Sequence, residues 1–592
     1  MIDTIPMGRS MDPPPHLVRE QMARILASPR FTSSERLRAL LRYTVEETLA
    51  GRGESIKESV LGVEVFERDA SYDPRIDPVV RVMAGRLRNR LAEYYGAEGR
   101  ADPLRIDFPR GTYVPQFGLP SSEPAVPVDQ SQRVPGIAVL PLASLSPDPE
   151  QEFFSDGMAD AIITDLAKIA GLRVISRTSV MQFKKSSIPV PEIVRILDVG
   201  YVLEGSVLHA GRRVRITVQL IACPPERHVW AESYERDLSD VLRLQSEIAR
   251  QVASEIHVRL TPGERSRLSH PPAVNPEAYL KYLQGKHHWH RLGSQTSIRE
   301  GIACLEEAVR MDPSFAAAWA EMGEACQMVA RYAYSAAAAA KARQAIETAL
   351  ALDDTSAAAR TLLAMILLDN FEWKRAREEL EKVLAMHPNH ALAHLCYGEL
   401  LIRHKDFEPA LQELELARSL DPLSPLMANQ VGVGLLRARK CNEAMALFRR
   451  SAEMDPQFVV TQLHLVLGCL CVGKYDEAIQ HARQVIDTGN SVTDMIGMSA
   501  LAHLRSGRRE SCQELLADLE RRKCDGEIVG PHILAALYTA LGDHGRALDW
   551  LEQAVEQRTF VAGYLAVEFY WDDLRAEPRF HALLKKVGLP ED

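Results

Sequence analysis

Apolar and small residues recur about every 34 residues through the C-terminal half of the chain. Repeats that start at Ala391, Pro425, Val459, Thr493 and Ile528 follow one another at steps of 34, 34, 34 and 35 residues. Mostly small residues occupy the eighth and twentieth places, where the two helices of one repeat would come closest. The period therefore predicts stacked pairs of antiparallel helices.

The same period extends towards the N-terminus, with earlier starts near Tyr282, Ala316 and Ala357, which gives eight repeats. The second repeat holds seven extra residues around positions 332–341, so we expect a lengthened helix or loop there. An apolar stretch follows the last repeat and is predicted to cap its open face. Its apolar residues are Phe569, Trp571, Leu574, Phe580, Leu583 and Leu584.

Short apolar runs and one alternating hairpin precede the repeats. Strands are predicted at 137–145, 172–180 and 228–237, and a hairpin at 201–221 that turns at Ala210 and Gly211. Helical patterns lie between them and at 240–256. This order of elements predicts an α/β sandwich.

The N-terminal segment shows three helical patterns followed by a hairpin. The first helix begins after Ser34, the second covers 56–66, and the third begins at Asp77-Pro78 and runs to Tyr95. The residues from 104 to 117 then alternate around a turn at 109–111. On the third helix, Val80, Ala84, Leu87 and Leu91 form one apolar stripe.

The opposite side of this third helix is rich in arginine. Arg81, Arg86 and Asn89 lie there, with Arg88 and Arg90 on the flanks. Between positions 81 and 110 there are seven arginines against four acidic residues. The whole 34–117 stretch balances at 14 basic and 14 acidic residues, so any attraction to phosphate would come from one face.

Composition limits the function classes. The 592 residues are 46% hydrophobic and 25% charged, which is ordinary for a multidomain globular protein. The formal net charge of −10 excludes a polycation that coats nucleic acid, so DNA binding would require a local module. Nine scattered cysteines do not suggest a disulfide framework, and the N-terminus lacks a signal-peptide pattern. We expect a cytoplasmic protein.

Two Pro-rich stretches divide the chain. We predict an N-terminal tail at 1–33, a first domain at 34–117, a linker at 118–135, a second domain at 136–260, and repeats with a cap at 279–592.

Each segment resembles a known family. The helices, Leu87-Arg88-Asn89-Arg90-Leu91 and Gly111-Thr112-Tyr113 resemble the winged helix-turn-helix of OmpR-type effectors. An amino-terminal β-sheet and a receiver domain are lacking, so phosphorylation control is not carried over. The run 137–180, the segment 201–207 and His228-x-Trp230 resemble the TolB amino-terminal-like domain, and the C-terminal half resembles tetratricopeptide repeats.

These resemblances imply a multidomain fold: an N-terminal winged helix (α+β), a central α/β sandwich and a C-terminal all-α tetratricopeptide superhelix. The first family implies DNA binding. Arg81, Arg86 and Asn89 would face the groove, and Arg88, Arg90 and Arg110 would contact phosphate or the minor groove. A monomeric winged helix binds weakly, so a homodimer or tandem sites are expected.

Catalytic and metal-binding patterns are weak. The sequence has no P-loop, and Ser206 lies in a predicted strand, not in a nucleophile elbow. The cluster from His287 to His290 is interpreted as a surface or packing feature, and Cys469-x-Cys471 as core filling. Glu150, Glu152, Asp156 and Asp160 crowd the start of a helix and are interpreted as solvated capping groups. We expect no enzyme activity, cofactor or metal.

The sequence therefore predicts a DNA-binding transcriptional regulator, with a protein or peptide partner on the concave surface of the repeats and no membrane association. Two alternatives remain open. One is a scaffold without DNA binding, and the other is an accessory subunit of a signalling enzyme of the adenylate cyclase type.

Overall fold

The computed structural model divides the chain into two compact units, Met1–Arg133 and Val134–Asp592. The structure describes residues 13–32, 34–66, 68–69, 79–96, 98–99, 102–108, 112–118, 134–146, 152–269, 274–290, 295–333, 335–456, 458–487 and 493–591.

The N-terminal unit consists of helices followed by a short hairpin. Its elements are α1 (Pro15–Ala27), α2 (Pro29–Thr32), α3 (Glu35–Leu49), a 3₁₀ turn (Gly53–Ser55), α4 (Glu58–Glu64), α5 (Val79–Gly96), β1 (Arg105–Asp107) and β2 (Gln116–Gly118). β1 pairs antiparallel with β2, with Ile106 opposite Phe117. The predicted apolar stripe of α5 is buried, since Val80 and Leu87 are both 0% exposed.

The prediction of a tail at 1–33 is wrong for residues 15–32. These residues form α1 and α2, and Val18, Ile25 and Phe31 are fully buried in the core of the unit. Burial of these apolar side chains stabilises α1 and α2, which the short, Pro-preceded pattern did not predict.

A mixed sheet and its helices begin the C-terminal unit. They comprise β3 (Gly136–Val139), β4 (Ala143–Ser144), α6 (Glu152–Ala167), β5 (Arg173–Val174), α7 (Arg177–Met181), α8 (Val190–Leu197), β6 (Tyr201–Ala210), β7 (Arg213–Ala222), β8 (Arg227–Asp237), α9 (Val241–Glu255) and α10 (Pro262–Ser269). The described strands follow the order β5-β3-β6-β7-β8, and β4 pairs with β6. Most residues of β7 alternate between exposed and buried, so one face of the sheet is covered.

Two predicted strands are shorter than the sequence suggested. Pro141 lies between β3 and β4, where it cannot donate a ladder hydrogen bond. The strand expected at 172–180 ends at Val174, because Ser176 caps α7 by accepting a hydrogen bond from the Thr178 amide. The turn predicted at Gly211 is confirmed, with φ of 59°.

Eight helical hairpins follow in the described part of the chain. Their first helices are α11 (Pro276–His290), α13 (Ala316–Ala333), α15 (Ala357–Asp369), α17 (Ala391–Arg403), α19 (Pro425–Arg437), α21 (Val459–Cys471), α23 (Thr493–Arg505) and α25 (Pro531–Leu541). Their second helices are α12 (Gln295–Met311), α14 (Ala336–Leu352), α16 (Trp373–Met386), α18 (Phe407–Leu420), α20 (Cys441–Met454), α22 (Tyr475–Ile486), α24 (Arg509–Cys524) and α26 (His544–Glu556).

The predicted repeat starts coincide with helix starts from the second to the seventh repeat, while α11 begins six residues before Tyr282 and α25 three residues after Ile528. The predicted starts at Ala357, Ala391, Pro425 and Val459 are the first residues of α15, α17, α19 and α21. A Cβ atom at Gly432 would lie 2.4 Å from the Phe448 ring, which explains the small residue at the eighth place. The extra residues of the second repeat lengthen its helices, since α13 has 18 residues and α15 has 13.

The chain after the eighth repeat folds back into the superhelix. Successive first helices pack more closely on one another than successive second helices do, so the first helices form the concave inner layer. We define the C-terminal segment as residues 559–589; it contains 3₁₀ turns at Phe560–Tyr564 and Phe569–Leu574 and α27 (Pro578–Val587). It reaches the third repeat, where the Trp373 indole Nε1 donates to the Val587 carbonyl oxygen at 2.8 Å.

Tyr564 anchors this segment on the inner layer. Its ring lies between two guanidinium groups, 4.2 Å from that of Arg403 and 3.5 Å from that of Arg437. Arg437 also pairs with Glu568 at 2.8 Å. The expected cap therefore extends further than the last repeat, and this segment lies on the inner layer around the third to fifth repeats.

We expect Tyr564→Ala to destabilise the full chain by about 3–5 kcal/mol, because a buried ring is removed from between two buried cations. Urea unfolding measures the loss, and hydrogen exchange of residues 559–589 should accelerate. Phe560→Ala is the matched control, since Phe560 is 37% exposed and should cost less than half as much. Equal losses in the two variants would contradict the anchoring role of Tyr564.

Candidate functional site

The arginine-bearing helix α5 is fixed against the hairpin by Arg88. Its guanidinium donates from Nε to the Phe108 carbonyl oxygen and from Nη2 to the Thr112 carbonyl oxygen, both at 2.8 Å. These carbonyls flank the predicted hairpin turn on both sides. Two donors of Arg88 therefore hold the hairpin beside α5, which orients one relative to the other.

The C-terminal end of α5 is held by its two tyrosines. The Tyr95 hydroxyl accepts a hydrogen bond from the Ile106 amide at 2.8 Å, which ties the helix to β1. The Tyr94 hydroxyl donates to the Asp102 carboxylate at 2.7 Å. Burial, together with that carboxylate, raises the pKa of Tyr94. Gln21 of α1 donates to the same Asp102 at 2.5 Å, so α1 belongs to the support of the helix.

The structure places the predicted site residues only in part. Arg81, Arg86 and Asn89 lie on α5, but their side chains are outside the described residues, and Arg110 is outside them altogether. Arg90 is half-buried on the same helix. A groove or phosphate contact from any of the six residues stays a prediction. For Arg88 the structure adds a supporting role that the sequence pattern did not suggest.

A second group of charges lies where α6 packs on α11, the first helix of the repeats. The Lys286 ammonium contacts the Asp160 carboxylate at 2.6 Å and the Glu321 carboxylate at 3.2 Å. Glu321 also accepts from the Trp289 indole at 2.9 Å and lies 3.0 Å from the His290 ring nitrogen. Nearby, Lys184 contacts Asp156 at 2.7 Å.

This cluster corrects one expectation from the sequence and bears on a second. Asp156 is 5% exposed and Asp160 is paired with Lys286, so these two acids are not solvated capping groups. For the histidine cluster, which was expected to be a surface or packing feature, Trp289 and His290 pack on Glu321, while the His288 side chain is 41% exposed. Sequence reasoning missed the pairing because Asp160 and Lys286 are separated by 126 residues.

The electrostatics of the cluster favour its ionised form. Burial acts to raise the pKa of Glu321, but Lys286 and His290 outweigh it and lower that pKa from 4.5 to about 2. Burial likewise acts to lower the pKa of Lys286, and the two carboxylates raise it well above the ordinary value. The group is thus an internal ion pair network that joins the sheet domain to the repeats.

We expect Lys286→Met to cost about 3–5 kcal/mol in the free energy of unfolding, because two buried carboxylates lose their cation. Lys281→Met is the matched control on the same helix. Lys281 pairs with Glu307 at 2.7 Å with its side chain 37% exposed, so its loss should cost about 1 kcal/mol or less. Urea unfolding at pH 7 measures both variants.

The pH dependence of the free energy of unfolding also distinguishes the wild-type protein from Lys286→Met. Because the pKa of Glu321 is lowered in the folded protein, its contribution to stability is present above pH 4.5 and is lost as the pH falls towards 2. The wild-type protein should lose more stability over this range than Lys286→Met. Parallel pH profiles would contradict the network.

One sulfur-containing group has metal-ligand composition. Among the described residues, ligand atoms of Cys469, Glu477 and His481 lie within 4.8 Å of one another. Glu477 already pairs with Arg449 at 3.0 Å and Lys474 at 3.1 Å, and these cations disfavour a metal ion there. Cys469 is fully buried, as expected for core filling, but Cys471 is bonded to Cys441, which corrects that interpretation for Cys471.

In the part of the chain that the structure describes, every helix is too short or too polar to serve as a membrane span.

Two known protein families match parts of the chain. A model described as the second domain of HilA/YgeH-like transcriptional regulators matches residues 132–251, which run from the start of the sheet into α9. A tetratricopeptide-repeat model matches residues 367–429. The chain carries a HilA/YgeH-like second domain and tetratricopeptide repeats. The first match covers the region for which the sequence predicted a TolB amino-terminal-like domain.

The sequence is also similar to the "Putative adenylate cyclase 3" of Rhizobium meliloti (strain 1021). The two are 38% identical over 203 residues, which is 34% of this chain and 34% of that protein. The chain thus spans about a third of the length of this curated relative.

Solved structures are also similar to parts of the chain. A tetratricopeptide repeat protein from Parabacteroides merdae is 14% identical, with 44% of this chain and 98% of that chain covered and a TM-score of 0.32. PilW, a type IV pilus biogenesis factor, is 17% identical, with 38% and 98% covered and a TM-score of 0.31.

Proposed function

We propose that the protein is a DNA-binding transcriptional regulator. The observation that carries this proposal is the HilA/YgeH-like regulator domain at 132–251, preceded in the chain by a helical unit that ends in an arginine-rich helix and a hairpin. The order of α3, α4, α5 and the paired strands supports the proposal, because a winged helix-turn-helix would need helices in this order, with the last helix in the major groove and the hairpin beside it.

The roles of the residues follow from that arrangement. Arg81, Arg86 and Asn89 would contact base edges, while Arg90 and Arg110 would contact phosphate or the minor groove. Arg88 would act mainly by holding the hairpin in position through the Phe108 and Thr112 carbonyls. The chain itself would have no enzyme activity and would need no cofactor.

The remaining domains would connect DNA binding to a protein partner. Tetratricopeptide repeats are protein-interaction modules, and the sheet domain, whether HilA/YgeH-like or TolB-like, joins them in one compact unit. Because the C-terminal segment lies on the inner layer around Tyr564, a partner would have to use another surface of the repeats.

A second candidate function is an accessory role beside a signalling enzyme. It is favoured by the similarity to a relative named as an adenylate cyclase, over about a third of each protein. In that case the intact chain would alter the activity of a separate cyclase and would not bind DNA.

The first function predicts salt-dependent DNA binding by the intact chain. Fluorescence anisotropy with labelled duplexes should show an affinity that falls steeply between about 50 and 200 mM salt. Arg86→Ala should reduce the slope of log K against log salt by about 1 if Arg86 contacts phosphate, or cost about 1–3 kcal/mol on a specific site if it contacts a base.

Arg243→Ala serves as the matched control for that experiment. Arg243 lies on α9 of the C-terminal unit with its side chain 75% exposed, so the variant changes the net charge equally without touching α5. Absence of binding at the lowest salt, or equal effects of the two variants, would contradict the proposal.

A further inference from the structure

Two cysteines of neighbouring repeats lie within bonding distance. Cys441 is the first residue of α20 in the fifth repeat, and Cys471 is the last residue of α21 in the sixth. Their Cα atoms are 5.8 Å apart, inside the range that a disulfide requires, and the structure joins their sulfur atoms. Both side chains are partly exposed, so a small oxidant can reach them.

The repeat register, and not chance, brings these two positions together. Cys471 stands at the thirteenth place of its repeat and Cys441 at the seventeenth place of the preceding one. The equivalent pair two steps earlier in the superhelix is Arg403 and Trp373, whose guanidinium and ring lie 5.9 Å apart. The same contact therefore recurs with different side chains, and here it holds two thiols.

The other cysteines differ in their surroundings. Seven are not disulfide-bonded, and five of those seven are buried: Cys223, Cys326, Cys396, Cys469 and Cys512. Cys441 also begins a helix, where the backbone amides favour a negatively charged thiolate. A thiolate is the form that attacks a disulfide.

We propose that Cys441 and Cys471 form a reversible redox modification site that cross-links the fifth and sixth repeats. The co-reactant is a low-molecular-weight disulfide of the glutathione class. The Cys441 thiolate attacks one of its sulfur atoms, forms a mixed disulfide and releases one small thiolate. Deprotonated Cys471 then attacks the Cys441 sulfur and expels the second small thiolate. The two protein sulfur atoms are oxidised by two electrons and the small disulfide is reduced to two thiolates. The protons lost by Cys441 and Cys471 pass to solvent, from which the small thiolates take them up to become thiols.

This cross-link lies beside the part of the repeats that holds the C-terminal segment. Arg437, the last residue of α19, and Arg439, in the turn that leads to Cys441, pair with Glu568 and Asp572 at 2.8 and 2.7 Å. Closing the bond restricts this turn relative to the sixth repeat. The site is independent of the proposed DNA binding, so failure of one does not affect the other.

The test uses the intact chain equilibrated in glutathione buffers from fully reduced to fully oxidised, then quenched, denatured and alkylated. We expect nine alkylated cysteines in the reduced buffer and seven in the oxidised one. Tryptic mapping should join the peptide that begins at Cys441 to the one that contains Cys471. Closing the bond should raise the unfolding midpoint of the C-terminal unit by about 3 °C.

Single serine variants separate this pairing from others. Cys441→Ser and Cys471→Ser should each abolish the link and the midpoint shift. Cys469→Ser is the matched control, because Cys469 is two residues away but buried, and this variant should keep both. Nine free thiols in every buffer, a link that survives in Cys471→Ser, a different cysteine pair, or a bond that persists in the fully reduced buffer would each overturn the proposal.

Discussion

The burial of the Lys286 ammonium between two carboxylates is the interaction on which the C-terminal unit most depends. Asp160 comes from the sheet domain and Glu321 from the second repeat, so one cation joins three parts of the chain. Taking these charges out of water is costly, and the cost is offset only while all three stay in contact. The network therefore gives the sheet domain a fixed place on the repeats.

A second set of contacts joins the sheet domain to repeats further along the superhelix. The Asn389 side-chain amide, in the turn before α17, donates to the Leu172 carbonyl oxygen at 2.6 Å. The Ser179 hydroxyl donates to Asp421 at 2.6 Å and accepts from the Leu423 amide at 2.8 Å. With Tyr564 held on the inner layer, the repeats are fastened at their beginning, middle and end. We therefore expect the C-terminal unit to behave as a rigid body, in which the sheet domain and the repeats do not separate.

Local sequence patterns predicted the elements well, and long-range contacts poorly. The period of 34 residues located the first helices from Ala357 to Val459 because each repeat packs mainly on its neighbours. The repeat period does not predict where the chain goes after the last repeat. The path of residues 559–589 was therefore not predicted. One feature of the sequence is related to this contact: arginine stands at the thirteenth place of two successive repeats, as Arg403 and Arg437. An exposed surface would not require an arginine at the same place twice. For the candidate DNA-binding residues, the pattern predicted the helix and hairpin, but Arg88 shows that a basic side chain can serve the fold itself.

We propose that the arginine-bearing helix of the N-terminal unit selects DNA, and selection from genomic fragments measures this property. The intact chain and an Arg81→Ala/Arg86→Ala variant would each be mixed with fragmented genomic DNA, recovered, and the bound fragments sequenced. We expect a small set of fragments enriched about tenfold or more by the wild-type chain over the variant, since each base-contacting arginine is worth about 1–3 kcal/mol. Equal recovery by the two proteins, or no enriched fragment, would contradict it.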